Sequence, residues 1–304
     1  LPCRNVEEAL EERSGFRYPL NGVWKFHYAR NYGSTIPGFE VPEYDCGDWD
    51  DIRVPAHIQM EGYDAPQYAN VQYPWDGREE ISPGEVPEHF NPVASYVKYF
   101  EVPKNFDRGR VYISFQGAES GIALWLNGHF VGYAEDTFTP SEFFLSPYLK
   151  DGKNKLAAQV FKWTSGSWCE DQDFYRFSGI FRDVYLYTTP ALHVRDIRTE
   201  TVLSDDYGKG TLELTLDMKD ERESRQKAGH ISFALYQPGK GFGGERLDDG
   251  LCVRVEKDIV TAGENRYALD LEAPRLWSAE TPHLYQLLIQ VYDENLALQE
   301  VILQ

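Results

Sequence analysis

Apolar and polar residues alternate with a period of two along most of this chain, which is the pattern of half-buried strands. Val97, Tyr99 and Glu101 form one such row, followed by Val111, Ile113 and Phe115; by Ile122, Leu124 and Leu126; by Leu156, Ala158 and Val160; and by Val184, Leu186 and Tyr187. Helical periodicity is confined to a short turn at Val6 to Arg13, where Glu and Arg surround Ala9 and Leu10. The pair Asn127-Gly128, set between LWL and HFVGY, predicts a two-residue hairpin, because a primed turn needs positive φ at both positions. Antiparallel pairing follows.

The pattern breaks near Thr188-Thr189-Pro190, and a second series of strands begins beyond it: Thr211 to Leu216, Ile231 to Tyr236, Val253 to Lys257, Tyr267 to Leu271 and Tyr285 to Tyr292. Charged or Gly-rich turns separate them at Asp220 to Lys227 and Gly239 to Gly244. Short strands at that spacing suggest an immunoglobulin-like sandwich, typically ~100 residues. Residues 62–92 show little alternation and are rich in Pro, Gly and acidic residues. Their aromatics, Tyr63, Tyr68, Tyr73, Trp75 and Phe90, argue that the segment is packed or contacting something.

Length agrees with this division: 304 residues predict two domains, either large enough for a core. The formal charge of −19 disfavours nucleic acid and anionic membrane surfaces as partners. No apolar run of membrane-spanning length occurs. Four scattered cysteines and seven dispersed histidines form no metal-ligand spacing, so the cysteines are read as mostly free thiols. The final strand, LALQEVILQ, stops without a polar tail, which suggests a piece of a longer protein.

Two places carry candidate chemistry. Glu170, Asp171 and Asp173 set three carboxylates within four residues, ahead of Phe174, Tyr175 and Arg176. Such a cluster needs a cation, a ligand or a metal to offset its repulsion; on the residues alone, a salt-bridge network with Arg176 and Arg182 is the commoner outcome. Asn70 offers a donor and an acceptor, which suits a sugar hydroxyl, although an Asn in a Pro-rich loop ordinarily caps a turn. Tyr68, Tyr73, Trp75, Trp163 and Trp168 are candidates for a stacking platform, with packing of the loop the favoured reading. Trp277 is expected in the core of the second domain. The run Glu79, Glu80, Glu85 and Glu88 is expected to be a solvated face.

Three longer segments are specific: GIALWLNGHFVGYAEDTFTPSEFFLSPYLKDGKNKLAAQV, WCEDQDFYRFSGIFRDVYLY and PRLWSAETPHLYQLLIQV. With LNGVWKF and VPAHIQM they resemble family 2 glycoside hydrolases, and YANVQYPW with EDQDFYRFSGIFRDV looks like the β-galactosidase branch. The resemblance covers essentially the whole chain. It implies an all-β fold: a sugar-binding jelly-roll β-sandwich over residues 1–189, then an immunoglobulin-like β-sandwich over residues 190–304. It also implies substrate contacts from Asn70 and Asp173, with Asp173 ligating sodium. The family's peripheral magnesium site has an Asp where Ser165 stands, so that site is not carried over, although sodium and magnesium are both expected for the full-length enzyme.

A retaining glycosidase needs two carboxylates about 5 to 5.5 Å apart, which this family carries on a (β/α)₈ barrel after the immunoglobulin-like domain. The chain ends before such a barrel. The resemblance therefore implies a catalytically inert part of an enzyme that hydrolyses terminal β-D-galactosides, contributing one wall of the sugar pocket and assembly contacts in a homo-oligomer. A cytoplasmic location is expected, or a periplasmic one if a signal peptide was removed. The rival readings are a free-standing carbohydrate-binding module, a purely structural or assembly role, and a β-glucuronidase or β-mannosidase of the same family.

Overall fold

The computed structural model describes residues 2–170, 173–222, 228–237 and 250–304. The chain divides into two compact units, Arg17–Thr188, and Leu1–Phe16 with Thr189–Gln304. The turns expected at 220–227 and 239–244 fall largely or wholly outside the described residues, as does Asp171.

The first unit is an all-antiparallel sandwich. Its six-stranded sheet runs in the order His129–Ala134, Gly121–Leu126, Asn154–Phe161, Val93–Phe100, Gly22–Ala29, Asp50–Val54. The four-stranded sheet is ordered Ser141–Phe144, Val111–Phe115, Val184–Thr188, Arg17–Pro19. Four of the alternating rows read from sequence line the space between the sheets: Leu124, Leu156, Ile113, Val184 and Leu186 are all fully buried in one cluster. The row Val97, Tyr99 and Glu101 does not: Val97 packs with Phe39 and Cys46 on the other face, and Tyr96 and Phe100 take the inward positions. Ala158 pairs with Leu124 and Leu156 with Leu126, so inward rows meet inward rows. That agreement fixes the register, since a slip of one residue would turn every core side chain outward.

The expected hairpin forms. Leu126 pairs with His129, and Asn127 and Gly128 take φ of 52° and 85°. The Asn127 side chain does more than tolerate the turn: its amide donates to Asn154 Oδ1 at 2.9 Å and its carbonyl accepts from Lys155 N at 3.0 Å. The turn is thereby sewn to the neighbouring strand.

The second unit pairs a five-stranded sheet, ordered Pro2–Cys3, Leu298–Leu303, Gln286–Tyr292, Gly229–Tyr236, Leu251–Val260, with a three-stranded sheet, ordered Leu192–Leu203, Lys209–Asp220, Gly263–Glu272. Leu216, Ile231, Phe233, Ile289 and Val291 fill its core. Two expectations are corrected here. Residues 1–16, which the sequence reading gives to the first domain, belong to this unit. Pro2 and Cys3 pair with Ile302 and Val301, and the helix Val6–Leu10, capped by Asn5, follows. Burial drives the assignment: Cys3 and Ala9 lie in one apolar cluster with Tyr236, Leu288 and Val301.

Trp277 is not in the core but 62% exposed, with Leu276 and Leu284 also exposed. Residues 273–285 leave the sheets, and Tyr285 anchors them instead, packing on the core while its hydroxyl accepts from Arg275 N at 2.8 Å.

Glu300 is a buried carboxyl in this unit, where it accepts from Val194 N, and burial pushes its pKa from 4.5 up to about 7. Below the unfolded value both states carry the proton. As pH rises above it, the unfolded chain ionises first, and stability falls until the folded carboxyl titrates near pH 7. Glu300→Gln should abolish this slope, a loss of roughly 3 kcal/mol across the window at about 1.4 kcal/mol for each pH unit. Urea titrations of both chains between about pH 5 and pH 8 measure it, and parallel pH profiles would refute the assignment.

Candidate functional site

The segment between residues 62 and 92 has one short strand, Gln67–Ala69, which pairs antiparallel with Phe174–Arg176. Ala69 lies opposite Phe174 and Tyr68 opposite Tyr175. The next position on each strand is Asn70 and Asp173. The two residues marked by the resemblance are thus brought side by side from 103 positions apart (173 − 70), and both are exposed.

Local geometry aims the Asp173 carboxylate. Its backbone is left-handed, with φ of 52°, a region that Asp tolerates better than most residues. The Tyr68 hydroxyl donates to Asp173 Oδ1, and this hydrogen bond, with partial burial and the carboxylate's charge, raises the Tyr68 pKa. The Tyr68 ring in turn packs on Tyr175 at 4.7 Å. In the linear sequence Tyr68 reads only as a candidate stacking ring. Its role as the donor that orients Asp173 had no signal in a linear sequence.

The segments leading to these strands join a buried polar network. Lys162 Nζ sits 2.5 Å from Asp64 Oδ2, with side chains only 1% and 7% exposed. Gln59 donates to Asp64 at 3.0 Å and to Ser178 Oγ at 2.8 Å, and accepts from Ser178 N at 3.0 Å. Burial lowers the Lys162 pKa, opposed by the attraction of Asp64. Nearby, Arg176 pairs with Glu119 at 3.2 Å, both buried, and Glu119 also accepts from Phe177 N. Gly179 lets the chain pass: its φ is 107°, and a Cβ there would lie 2.9 Å from the Tyr96 hydroxyl and 3.2 Å from Ala56 O. Charge pairing therefore fixes both strands that carry the site.

The remaining candidates sort by burial. Trp75 and Trp163 are 2% and 1% exposed. Tyr73 stacks on Trp75 at 5.2 Å, and Trp168 packs on both at 4.6 and 4.8 Å. These four rings pack the loop, as the favoured reading expects. Glu79 departs from the solvated face expected for its run: its carboxylate accepts from the backbone N–H groups of Glu88, His89 and Phe90, which hold its pKa low against partial burial. Arg182 donates to Phe138 O at 2.8 Å.

For a cation, the donor chemistry is partial. Asp173 offers carboxylate oxygens suited to a hard ion, and among the described residues no group of three His, Cys, Asp or Glu could enclose one. Ser165 is a neutral hydroxyl donating to Glu135 at 3.0 Å. Among the described residues no helix is long and apolar enough to cross a membrane.

Two family models match the chain: glycosyl hydrolases family 2, sugar binding domain, over residues 18–190, and glycosyl hydrolases family 2 over residues 192–302. The chain is 46% identical over 300 residues to a β-galactosidase of Halalkalibacterium halodurans, covering 98% of this chain and 28% of that protein. It is 36% identical to the β-galactosidase large subunit of Leuconostoc lactis, covering 97% of this chain and 47% of that protein. Among solved structures, the β-glucuronidase of Bacteroides uniformis aligns with a TM-score of 0.71 over 95% of this chain and 32% of that one, at 18% identity, which is likeness of fold. The all-β architecture agrees with all three.

The buried pair makes a measurable demand. Lys162→Met leaves Asp64 buried and uncompensated, at a cost of about 3 to 5 kcal/mol. The double change Lys162→Met with Asp64→Leu should cost less than the sum of the single changes, measured by denaturant unfolding; strict additivity would show that the two charges do not interact.

Proposed function

This chain belongs to glycosyl hydrolase family 2, and we propose that it forms the non-catalytic N-terminal part of a β-galactosidase, with Asn70 and Asp173 as one wall of the galactose pocket. The observation that carries the reading is the pairing of Gln67–Ala69 with Phe174–Arg176, which sets an amide and a carboxylate next to each other, exposed, on a rigid charged base. An amide that donates and accepts beside an acceptor-only carboxylate suits vicinal sugar hydroxyls, each of which does both. A hollow of about 290 Å³ opens at Asn70, lined also by Tyr68, Gln72, Asp76 and Arg78.

In the whole enzyme Asp173 would also supply one oxygen ligand to a sodium ion, the rest of the shell coming from elsewhere. That ion would help hold the sugar hydroxyls, while the carboxylates that cleave the glycosidic bond with retention stand outside these two units. Support for a galactoside over a glucuronide comes from the relatives: the β-galactosidases share 46% and 36% identity over nearly the whole chain, whereas the β-glucuronidase shares the fold at 18%.

In the full-length enzyme, Asp173→Asn should lower kcat/KM for a nitrophenyl β-galactoside about 10- to 150-fold, the loss of a hydrogen bond to a charged group at about 1.5–3 kcal/mol, and Asn70→Ala about 2- to 10-fold, the loss of a neutral one at about 0.5–1.5 kcal/mol. Unchanged kinetics in both variants would refute the contact. The 304-residue chain alone should release no nitrophenol above buffer once contaminants are controlled.

A further inference from the structure

The six-stranded sheet of the first unit has a second face. Strand alternation sends Ile122, Leu124 and Leu126 into the core, and therefore sends Ala123 and Trp125 outward, together with Gln159 and Phe161 of the neighbouring strand. An outward face on an antiparallel sheet is ordinarily polar and solvated. Here it is aromatic. Phe39 and Cys46 cover part of it, with Trp49 and Trp125 packed against them. Beyond that cover the face opens into a cavity of about 990 Å³, which shares no lining residue with the hollow beside Asn70.

Three rings at this cavity stand exposed: Tyr32 at 65%, Phe130 at 55% and Tyr133 at 47%. Gly121 makes room for one of them, because a Cβ there would lie 2.6 Å from the Tyr133 hydroxyl. That hydroxyl donates to Glu135 at 2.9 Å, which also accepts from Ser165. Trp163 and Thr164 line the same cavity, and they are 1% and 3% exposed. Their Nε1 and Oγ1 atoms are buried with no hydrogen-bond partner, a state that costs free energy until a ligand or water meets it. Asn91 clamps the Trp163 backbone from both sides at 2.9 Å, so the indole is held in place.

We infer that this cleft is a second carbohydrate site, taking a neutral oligosaccharide on the outward face of the sandwich. Pyranose rings present apolar faces to Tyr133 and Phe130 and hydroxyls at their edges, which can both donate and accept. The unpartnered Trp163 N–H and Thr164 hydroxyl call for such groups. Charge selects a neutral ligand, since Glu88 and Glu135 line the cavity and no Lys or Arg does among the described residues. The volume suits a drug-sized ligand, on the order of two or three sugar rings.

The test is calorimetric titration of the 304-residue chain with β-1,4-galactotriose, cellotriose and trigalacturonate, with tryptophan emission as a second signal. At least one neutral trisaccharide should saturate with Kd of about 10 mM or tighter, and trigalacturonate should bind at least about tenfold more weakly. Tyr133→Ala and Phe130→Ala, whose side chains are half exposed, should weaken binding about tenfold or more with unchanged melting, and Trp163→Phe should weaken it while keeping the ring. Asn70→Ala should leave it unaltered, which separates this cleft from the pocket wall proposed above. Failure of both neutral trisaccharides to saturate, indifference to all three ring substitutions, or loss of binding on Asn70→Ala would each overturn the inference.

Discussion

The first unit depends on two buried ion pairs that close distant segments onto one another. Asp64 with Lys162 and Glu119 with Arg176 are each withdrawn from water. A charge taken out of water is costly unless its partner and its remaining hydrogen bonds are all in place. Gln59 donates to Asp64, Lys162 donates to Ala65 O, and Phe177 N donates to Glu119. The penalty for any other arrangement is what holds an irregular segment in one conformation, and with it the short strand that leads to Asn70. A site on a loop thereby gains the rigidity of a site on a sheet.

The sheet beside it is used on both faces. Asn154–Phe161 reads as an alternating strand, yet every position from 154 to 160 is buried. One row enters the sandwich core and the other meets the cover made by Phe39 and Cys46. Where that cover stops, the same outward row turns from packing into a lined cleft. Core formation and ligand access are set by which part of the sheet another segment crosses.

The second unit repeats the sandwich principle with a different closing element. Its five-stranded sheet ends in Pro2–Cys3, so the first residues of the chain pair with the last strand. Short local pieces at 2–3 and 6–10 have little stability of their own. They are ordered by the apolar cluster around Tyr236 and Val301. Burial also places Glu300 where its proton is retained to about pH 7, a cost the sheet accepts while satisfying Val194 N.

Period and turn chemistry are local, and the sequence determined what they control. The alternating rows, the Asn127-Gly128 hairpin, the all-β class and the change of texture near residue 189 could all be read without coordinates. The motifs around Asn70 and Asp173 single these two residues out, and strand pairing sets them side by side. What the linear chain could not show is which residues stand opposite. Tyr68 reaches Asp173 across 105 positions, Lys162 reaches Asp64 across 98 and Arg176 reaches Glu119 across 57. Periodicity says that a residue faces inward or outward but not what meets it there. For that reason Trp277, apolar and flanked by prolines, reads as core and yet lies exposed, and residues 1–16 read as the start of one unit and yet close the other. Only tertiary structure decides these, because the free energy of a buried charge or an apolar ring depends on its partner, and the partner is chosen by the fold.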